Sequence, residues 1–128
     1  MKKILLYDDV FKVQILAIHG TTKDVERTAR SHKLDYIPST GSKGCCYRLP
    51  DNYGYLLWLE DCTDFYALLH ETVHLVKLTL EDKGMNTNLS NEDELFAYYQ
   101  MFWFRKLWRF YGNIKSEDKK NGNTKKRS

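Results

Sequence analysis

Short apolar stretches dominate the first sixty residues of the chain, and polar or turn-forming residues separate them. Residues 3–7 and 11–18 are rich in Leu, Ile and Val, and a pair of aspartates between them predicts two strands or one bent strand. Two more strands are predicted over residues 45–49 and 53–59, because the Pro-Asp-Asn sequence that joins them is typical of a hairpin turn. This part of the chain therefore predicts a small sheet.

Helical periodicity appears in three segments. A short amphipathic helix is predicted to follow the turn at residues 20–22, where either threonine can serve as N-cap, and to end near residue 33. A longer helix is predicted over residues 63–83, which contain no Pro or Gly, with Thr63 or Asp61 as its cap. A third helix is predicted over about residues 92–111, with Ser90 or Asn91 as its cap.

The second predicted helix carries the sequence His70-Glu71-Thr72-Val73-His74. Residues four apart lie on one face of a helix, so His70 and His74 can present two imidazoles to one metal ion. Glu71 is displaced around the helix, where it can reach a metal-activated water. This is the HExxH arrangement of zinc hydrolases. The alternative is that both histidines pack against the core while Glu71 lies in solvent.

A catalytic zinc site needs three protein ligands and an open position for water. Glu94 is the best third ligand because it lies in the first turn of the next predicted helix, which a polar loop allows to fold back. The sequence therefore predicts one Zn²⁺ per chain, bound by His70, His74 and Glu94. Glu71 is predicted to act as the general base.

A hydrolytic site also needs a donor for the developing oxyanion. Tyr98 is predicted for this role because it follows Glu94 by four residues on the same helical face. Tyr99, Tyr66 and His19 are alternatives, and ordinary aromatic packing also accounts for Tyr98.

The strand over residues 55–59 is a candidate substrate site. If it forms a sheet edge, an extended peptide can pair with it; the alternative is a strand paired on both sides, with Trp58 in the core. The aromatic run at residues 98–104 is explained by core packing, with dimerisation as the alternative.

Composition indicates one globular domain, since 42% of the 128 residues are hydrophobic. No apolar run approaches the length of a membrane span, and the apolar N-terminus is too short for a signal peptide. An odd set of three cysteines predicts reduced thiols and a cytoplasmic protein. A structural zinc site formed by Cys45, Cys46 and Cys62 is the alternative.

The positive charge is concentrated at the C-terminus. Residues 113–128 hold six Lys or Arg against two acidic residues, a net +4, so the net +3 of the whole chain leaves −1 for residues 1–112. Apart from Ile114 this segment lacks large apolar side chains, and a disordered basic tail is predicted after a domain of residues 1–112. The simplest role of this tail is to keep the protein soluble, and weak phosphate binding is the alternative. Residues 1–112 have no excess of positive charge, so no nucleic-acid partner is predicted for them.

These segments together resemble the gluzincin type of zinc metallopeptidase, in which HExxH precedes a glutamate ligand on a later helix, often within Glu-x-x-Ala. Here the pattern is Glu94-Leu95-Phe96-Ala97. More narrowly, the chain resembles small phage-encoded metallopeptidases, over about residues 55–103, and the HETVH and ELFAYY segments carry nearly all of the likeness. No separate substrate domain is recognisable.

The resemblance implies a minimal zincin-like α+β fold: a small antiparallel or mixed sheet, an HExxH helix and a following helix with the third ligand. It implies zinc as cofactor, a peptide or protein as substrate, and action in the host cytoplasm. The alternative function is that of a non-catalytic zinc-binding phage protein that binds a host protein. A regulator that uses the basic tail to bind nucleic acid is the weakest hypothesis.

Overall fold

The computed structural model describes residues 1–34, 43–50, 54–85 and 93–127, and in the last helix it describes the side chains of residues 94–117. These segments form a small mixed sheet with helices on both faces. In chain order the elements are β1 (Lys2–Asp8), β2 (Val13–His19), α1 (Thr22–Ser31), β3 (Gly44–Arg48), β4 (Tyr55–Leu59), α2 (Phe65–Asp82) and α3 (Asp93–Arg127).

The sheet has the strand order β1-β2-β4-β3. β1 is antiparallel to β2, β2 is parallel to β4, and β4 is antiparallel to β3. Parallel pairing of β2 with β4 requires a crossover connection, and α1 with β3 lies within it. The fold is therefore α+β with a mixed sheet, as predicted, and among the described strands β1 and β3 lie at the edges.

Residues on the two inner strands alternate between two cores. Ile15, Ala17, Leu57 and Leu59 pack with α2 and α3, whereas the neighbouring residues on the same strands pack with α1 on the opposite face. Every residue of β4 is buried, because the strand is paired on both sides and covered on both faces.

The burial of β4 corrects one expectation of the sequence. Residues 55–59 were a candidate for an open sheet edge that binds a peptide, and that hypothesis is wrong because β2 and β3 occupy both sides of the strand. The alternative is confirmed: Trp58 is fully buried, and its Nε1 donates to the carbonyl of Gly20 at 2.9 Å.

The start of α2 differs in detail from the prediction. Asp64 caps the helix by accepting a hydrogen bond from the amide of Ala67 at 3.0 Å, so neither predicted cap is used. Asp61 instead accepts from the amide and hydroxyl of Thr63 in the preceding turn, at 2.8 and 2.7 Å. At the other end Gly84 adopts a φ of +78°, a conformation that stops the helix where the sequence predicts.

α3 continues well past residue 111, its predicted end, to Arg127. Ile114 is buried in the main core because it follows Leu107 and Tyr111 on one helical stripe, and Lys2 forms an ion pair with Glu117 at 3.3 Å. The predicted domain boundary at residue 112 therefore falls inside the helix, and Ile114, which the sequence assigns to the basic tail, is part of the core. The predicted caps Ser90 and Asn91 lie outside the described residues.

Adjacent cysteines on β3 point to opposite faces of the sheet. Cys45 packs in the core against α1, and Cys46 packs against the core on the α2 side. None of the three cysteines, all of which lie in described segments, forms a disulfide. Within the described segments no helix is long and apolar enough to cross a membrane.

Candidate metal centre

The two histidines of the HExxH sequence lie on the solvent-facing side of α2. Both are exposed, and their Nε2 atoms are 3.1 Å apart. Helical geometry causes this approach, because residues four apart are neighbours on the helix surface. His70 and His74 therefore meet as predicted, and the alternative in which both pack against the core is wrong.

The pKa of His74 is lowered from its ordinary value. Partial burial is the main cause, and the positive charges of His70 and Lys77 add to it. The neutral imidazole is the form that binds metal, so these surroundings favour the ligating state of His74.

The histidine pair fits a zinc ion. Nitrogen ligands lie about 2.0–2.1 Å from zinc, and tetrahedral geometry then places two of them about 3.3 Å apart. The observed separation of 3.1 Å is close to this value, so the distance between the two Nε2 atoms suits ligands of one ion. Imidazole nitrogens and carboxylates are also the ligand types that catalytic zinc sites use.

Glu71 lies one residue from His70 but turns towards β3 and is only 8% exposed. Burial raises the pKa of its carboxyl group, and the positive charge of His70 partly opposes this effect. A carboxylate in such surroundings is a stronger base than one in water. The expectation that Glu71 is instead solvated is therefore wrong.

Gly44 at the start of β3 provides the space that Glu71 occupies. A Cβ atom at this position would lie 3.2 Å from Cγ of Glu71 and 3.1 Å from the carbonyl oxygen of Trp58. A side chain here would crowd the carboxylate arm against the sheet. Glycine therefore permits the close approach of α2 to the edge strand.

A shallow depression of about 330 Å³ joins the buried carboxylate to the edge strand. Its walls come from β3 and α2, and the residues that line it are Gly44, Cys45, Cys46, Tyr47, Glu71, His74 and Leu78. Sequence reasoning did not identify the β3 residues as part of the site. Gly44, which precedes an apolar strand, is the signal that could have identified them. The sequence alone does not place these residues beside Glu71, because the two segments are remote along the chain.

The two thiols of β3 are not activated nucleophiles. Burial raises the pKa of Cys45 to about 12 and the pKa of Cys46 well above its ordinary value, and the negative charge of Glu71 adds to both shifts. Thiols in this state remain protonated at neutral pH and act as apolar packing groups.

Glu94 lies on the exposed side of the first turns of α3. In the part of the chain that the structure describes, no group of three His, Cys, Asp or Glu side chains is arranged to hold a metal ion. The residues just before α3 lie outside that part. The histidine pair is thus brought together, and Glu94 as its third ligand stays a prediction.

Tyr98 is 70% exposed on α3, in a different depression from that of Glu71 and His74. Its proposed oxyanion role stays a prediction. Of its alternatives, Tyr99 is buried and donates a hydrogen bond to Asp8 at 2.6 Å, which occupies its hydroxyl group.

The other two alternatives both lie near the start of α2. His19 borders a separate depression of about 520 Å³ near the start of the helix. Tyr66 is 82% exposed and precedes His70 by one helical turn. Tyr66 is therefore the alternative donor that the helix itself places beside the histidine pair.

Comparison of the chain with protein-family models, with curated proteins and with solved structures finds no match in any of the three. Function is therefore inferred from the residues and their geometry alone.

Proposed function

We propose that this protein is a zinc-dependent hydrolase, and specifically a peptidase with a minimal zincin-like fold of the gluzincin type. One observation carries the proposal. The Nε2 atoms of His70 and His74 lie 3.1 Å apart on an exposed helix face, and the carboxylate of Glu71 is buried next to them. A merely structural pair of histidines would not need a desolvated carboxylate beside it.

The proposed chemistry divides between the metal and the chain. When bound, zinc supplies a Lewis acid that polarises the scissile carbonyl and activates water for attack. Glu71 accepts the proton of that water on its carboxylate and later passes the proton to the leaving amine. Its burial beside Gly44 supports this role, because it holds the carboxylate in one place and increases its basicity.

Glu94 completes the proposed ligand set with His70 and His74. Contact between α2 and α3 supports this assignment, since Phe65 at the start of α2 meets Phe104 and Trp108 of α3 edge to face. Tyr98 is the proposed oxyanion donor on the same helix, with Tyr66 as the alternative.

The outer side of β3 is the proposed position of the substrate backbone. Among the described strands β3 is at the edge of the sheet, and its residues line the depression that contains Glu71 and His74. An extended peptide that adds to this edge forms main-chain hydrogen bonds and passes beside the catalytic carboxylate. The substrate strand predicted for residues 55–59 is thus replaced by its neighbour.

Glu71→Gln tests catalysis separately from metal binding. The variant should bind one zinc per chain and should hydrolyse peptides at least about a hundredfold more slowly, because the amide cannot accept the proton. Zinc is measured by elemental analysis, and hydrolysis by mass spectrometry of a complex peptide mixture. Glu81→Gln, an exposed position on the same helix, is the matched control.

Unchanged hydrolysis in Glu71→Gln, or equal losses in the two variants, would contradict the proposed mechanism. Full zinc binding without any hydrolysis by the wild-type chain would favour a non-catalytic zinc protein that acts by binding another protein.

A further inference from the structure

The side of α2 and α3 that faces away from the sheet carries large apolar side chains. On α2, Phe65, Leu69 and Val73 recur every four residues and are 42%, 39% and 40% exposed. On α3, Met101 and Trp108 are 54% and 48% exposed. The ring centroids of Phe65 and Trp108 lie 5.6 Å apart, so the two rows adjoin. These five residues, together with Tyr66, whose ring meets that of Phe65 edge to face, are called the outer apolar surface.

The outer apolar surface borders the metal centre. Tyr66, His70 and His74 form the next row of α2, one position farther around the helix than Phe65, Leu69 and Val73. All three residues of this row are exposed. A chain that approaches the histidine pair from the side of α3 therefore crosses the outer apolar surface first.

Cations lie beside this surface on α3, and acidic side chains are scarce. Residues 95–116 contain no Asp or Glu, and residues 65–80 contain only Glu71, which is buried towards β3. Arg105 and Arg109 are exposed and follow Met101 at four-residue steps along α3. An exposed apolar patch with a charged rim indicates a binding surface, and here the rim is positive.

We propose that the outer apolar surface and its arginines bind an acidic, apolar segment of the protein substrate. The inference rests on the proposed function, because it assigns the substrate class of the same site. Large apolar side chains of the substrate pack against Phe65 and Trp108, and Asp or Glu residues beside them pair with Arg105 and Arg109. Hydrolysis is thereby directed to chains that carry both features.

Two other occupants fit the surface less well. A second copy of the chain offers the arginines no exposed acidic partner within residues 65–80 or 95–116, so its charge does not complement this surface. Single-stranded nucleic acid binds by stacking its bases on aromatic rings, but Leu69, Val73 and Met101 are aliphatic, and the ring of Trp108 is already stacked on Phe104. An acidic, apolar peptide satisfies both the charge and the packing.

The test measures binding apart from hydrolysis. A fluorescein-labelled peptide of alternating Glu and Leu is titrated with the full chain carrying Glu71→Gln, so that the probe is not consumed, and anisotropy reports binding. The same measurement with a Lys/Leu peptide and a Glu/Ser peptide separates charge from apolar contact. We expect the Glu/Leu peptide to bind at least about tenfold more tightly than either comparison peptide.

Charge reversal locates the binding surface. In the chain that carries Glu71→Gln, the double change Arg105→Glu with Arg109→Glu should weaken binding of the Glu/Leu peptide at least about tenfold. The matched control is Arg27→Glu with Arg30→Glu, an identical change of charge at two exposed positions of α1 on the opposite face of the sheet. The control should bind within about twofold of its parent.

Tyr66→Ser tests the apolar contribution without touching the core, since this side chain is 82% exposed. It should also weaken the Glu/Leu peptide, and its melting temperature should match that of the parent. Should Arg105→Glu with Arg109→Glu lower the melting temperature, the loss of binding in Tyr66→Ser still decides the question.

Three results would overturn the proposal: equal effects of the two double reversals, equal binding of the Lys/Leu peptide, or tighter binding of an oligo(dT) strand than of the Glu/Leu peptide. Concentration-dependent dimerisation that Tyr66→Ser abolishes would assign the surface to a second copy and overturn it too.

The outcomes separate this proposal from the proposed function. If the wild-type chain hydrolyses peptides but neither binding nor KM responds to the reversal on α3, the surface assignment fails and the hydrolase stands. If binding responds to the reversal but the wild-type chain hydrolyses nothing, the hydrolase proposal fails.

Discussion

The helices on the two faces of the sheet differ in what they expose. α1 buries Val25, Thr28 and Ala29 and presents charged residues to solvent, with no large exposed apolar side chain. α2 buries a longer stripe but also exposes Phe65, Tyr66, Leu69 and Val73 over its first half. Folding explains the surface of α1 completely, because each apolar residue faces the core.

The exposed half of α2 needs a different explanation. Its apolar residues flank two histidines that add nothing to the core, and a helix stabilised only by packing would carry polar residues at these positions. The contrast with α1 indicates that α1 serves mainly to cover the sheet, whereas α2 both covers the sheet and forms a binding site.

The largest expected effect concerns metal binding. His74→Ala should abolish stoichiometric zinc, because one imidazole from α2 cannot hold the ion at the affinity of the pair. His32→Ala, at the C-cap of α1, makes the same substitution on the other face of the sheet and should retain one zinc per chain. Elemental analysis after dialysis measures both.

Full zinc in His74→Ala, or loss of zinc from both variants, would remove the functional distinction between the two helices.

A smaller effect separates the two sides of α2 itself. Leu75 is fully buried, and Leu75→Ala should lower the free energy of unfolding by about 2–5 kcal/mol. Leu69 is 39% exposed, and Leu69→Ala should cost less than about 1 kcal/mol. Urea denaturation of the zinc-free chains provides the comparison. Similar losses in the two variants would show that Leu69 is part of the core and not of a binding surface.

The smallest effects are expected at two glycines. Gly44→Ala places a methyl group against Glu71 and the backbone of β4, and should destabilise the fold by about 1–3 kcal/mol and slow hydrolysis. Gly112→Ala meets nothing within 4 Å inside α3, and should stabilise the protein by about 0.5–1 kcal/mol with hydrolysis unchanged.

Thermal unfolding and a peptide assay measure both changes. A neutral Gly44→Ala variant would mean that α2 does not need its close approach to the edge strand.

Local pattern was sufficient to predict most elements. The apolar runs predicted all four strands within a few residues, and the capping threonine before α1 is Thr21, which accepts from the amide of Asp24 at 3.2 Å. Whether a segment forms a strand or a helix depends on the periodicity of its own apolar residues, which can be read without knowing which segments it packs against. Helix ends were less accurate, because Asp61, Thr63 and Asp64 compete for one cap.

The sequence by itself determined the close pair of His70 and His74, because a helix of any tertiary setting brings residues four apart together. Tertiary structure decided the rest. The strand order made β3 the edge and buried β4, and helix packing turned Glu71 towards Gly44 and left the Tyr66 row in solvent. Such pairings join residues remote in the chain, so they depend on the packing of the whole core and not on any local pattern.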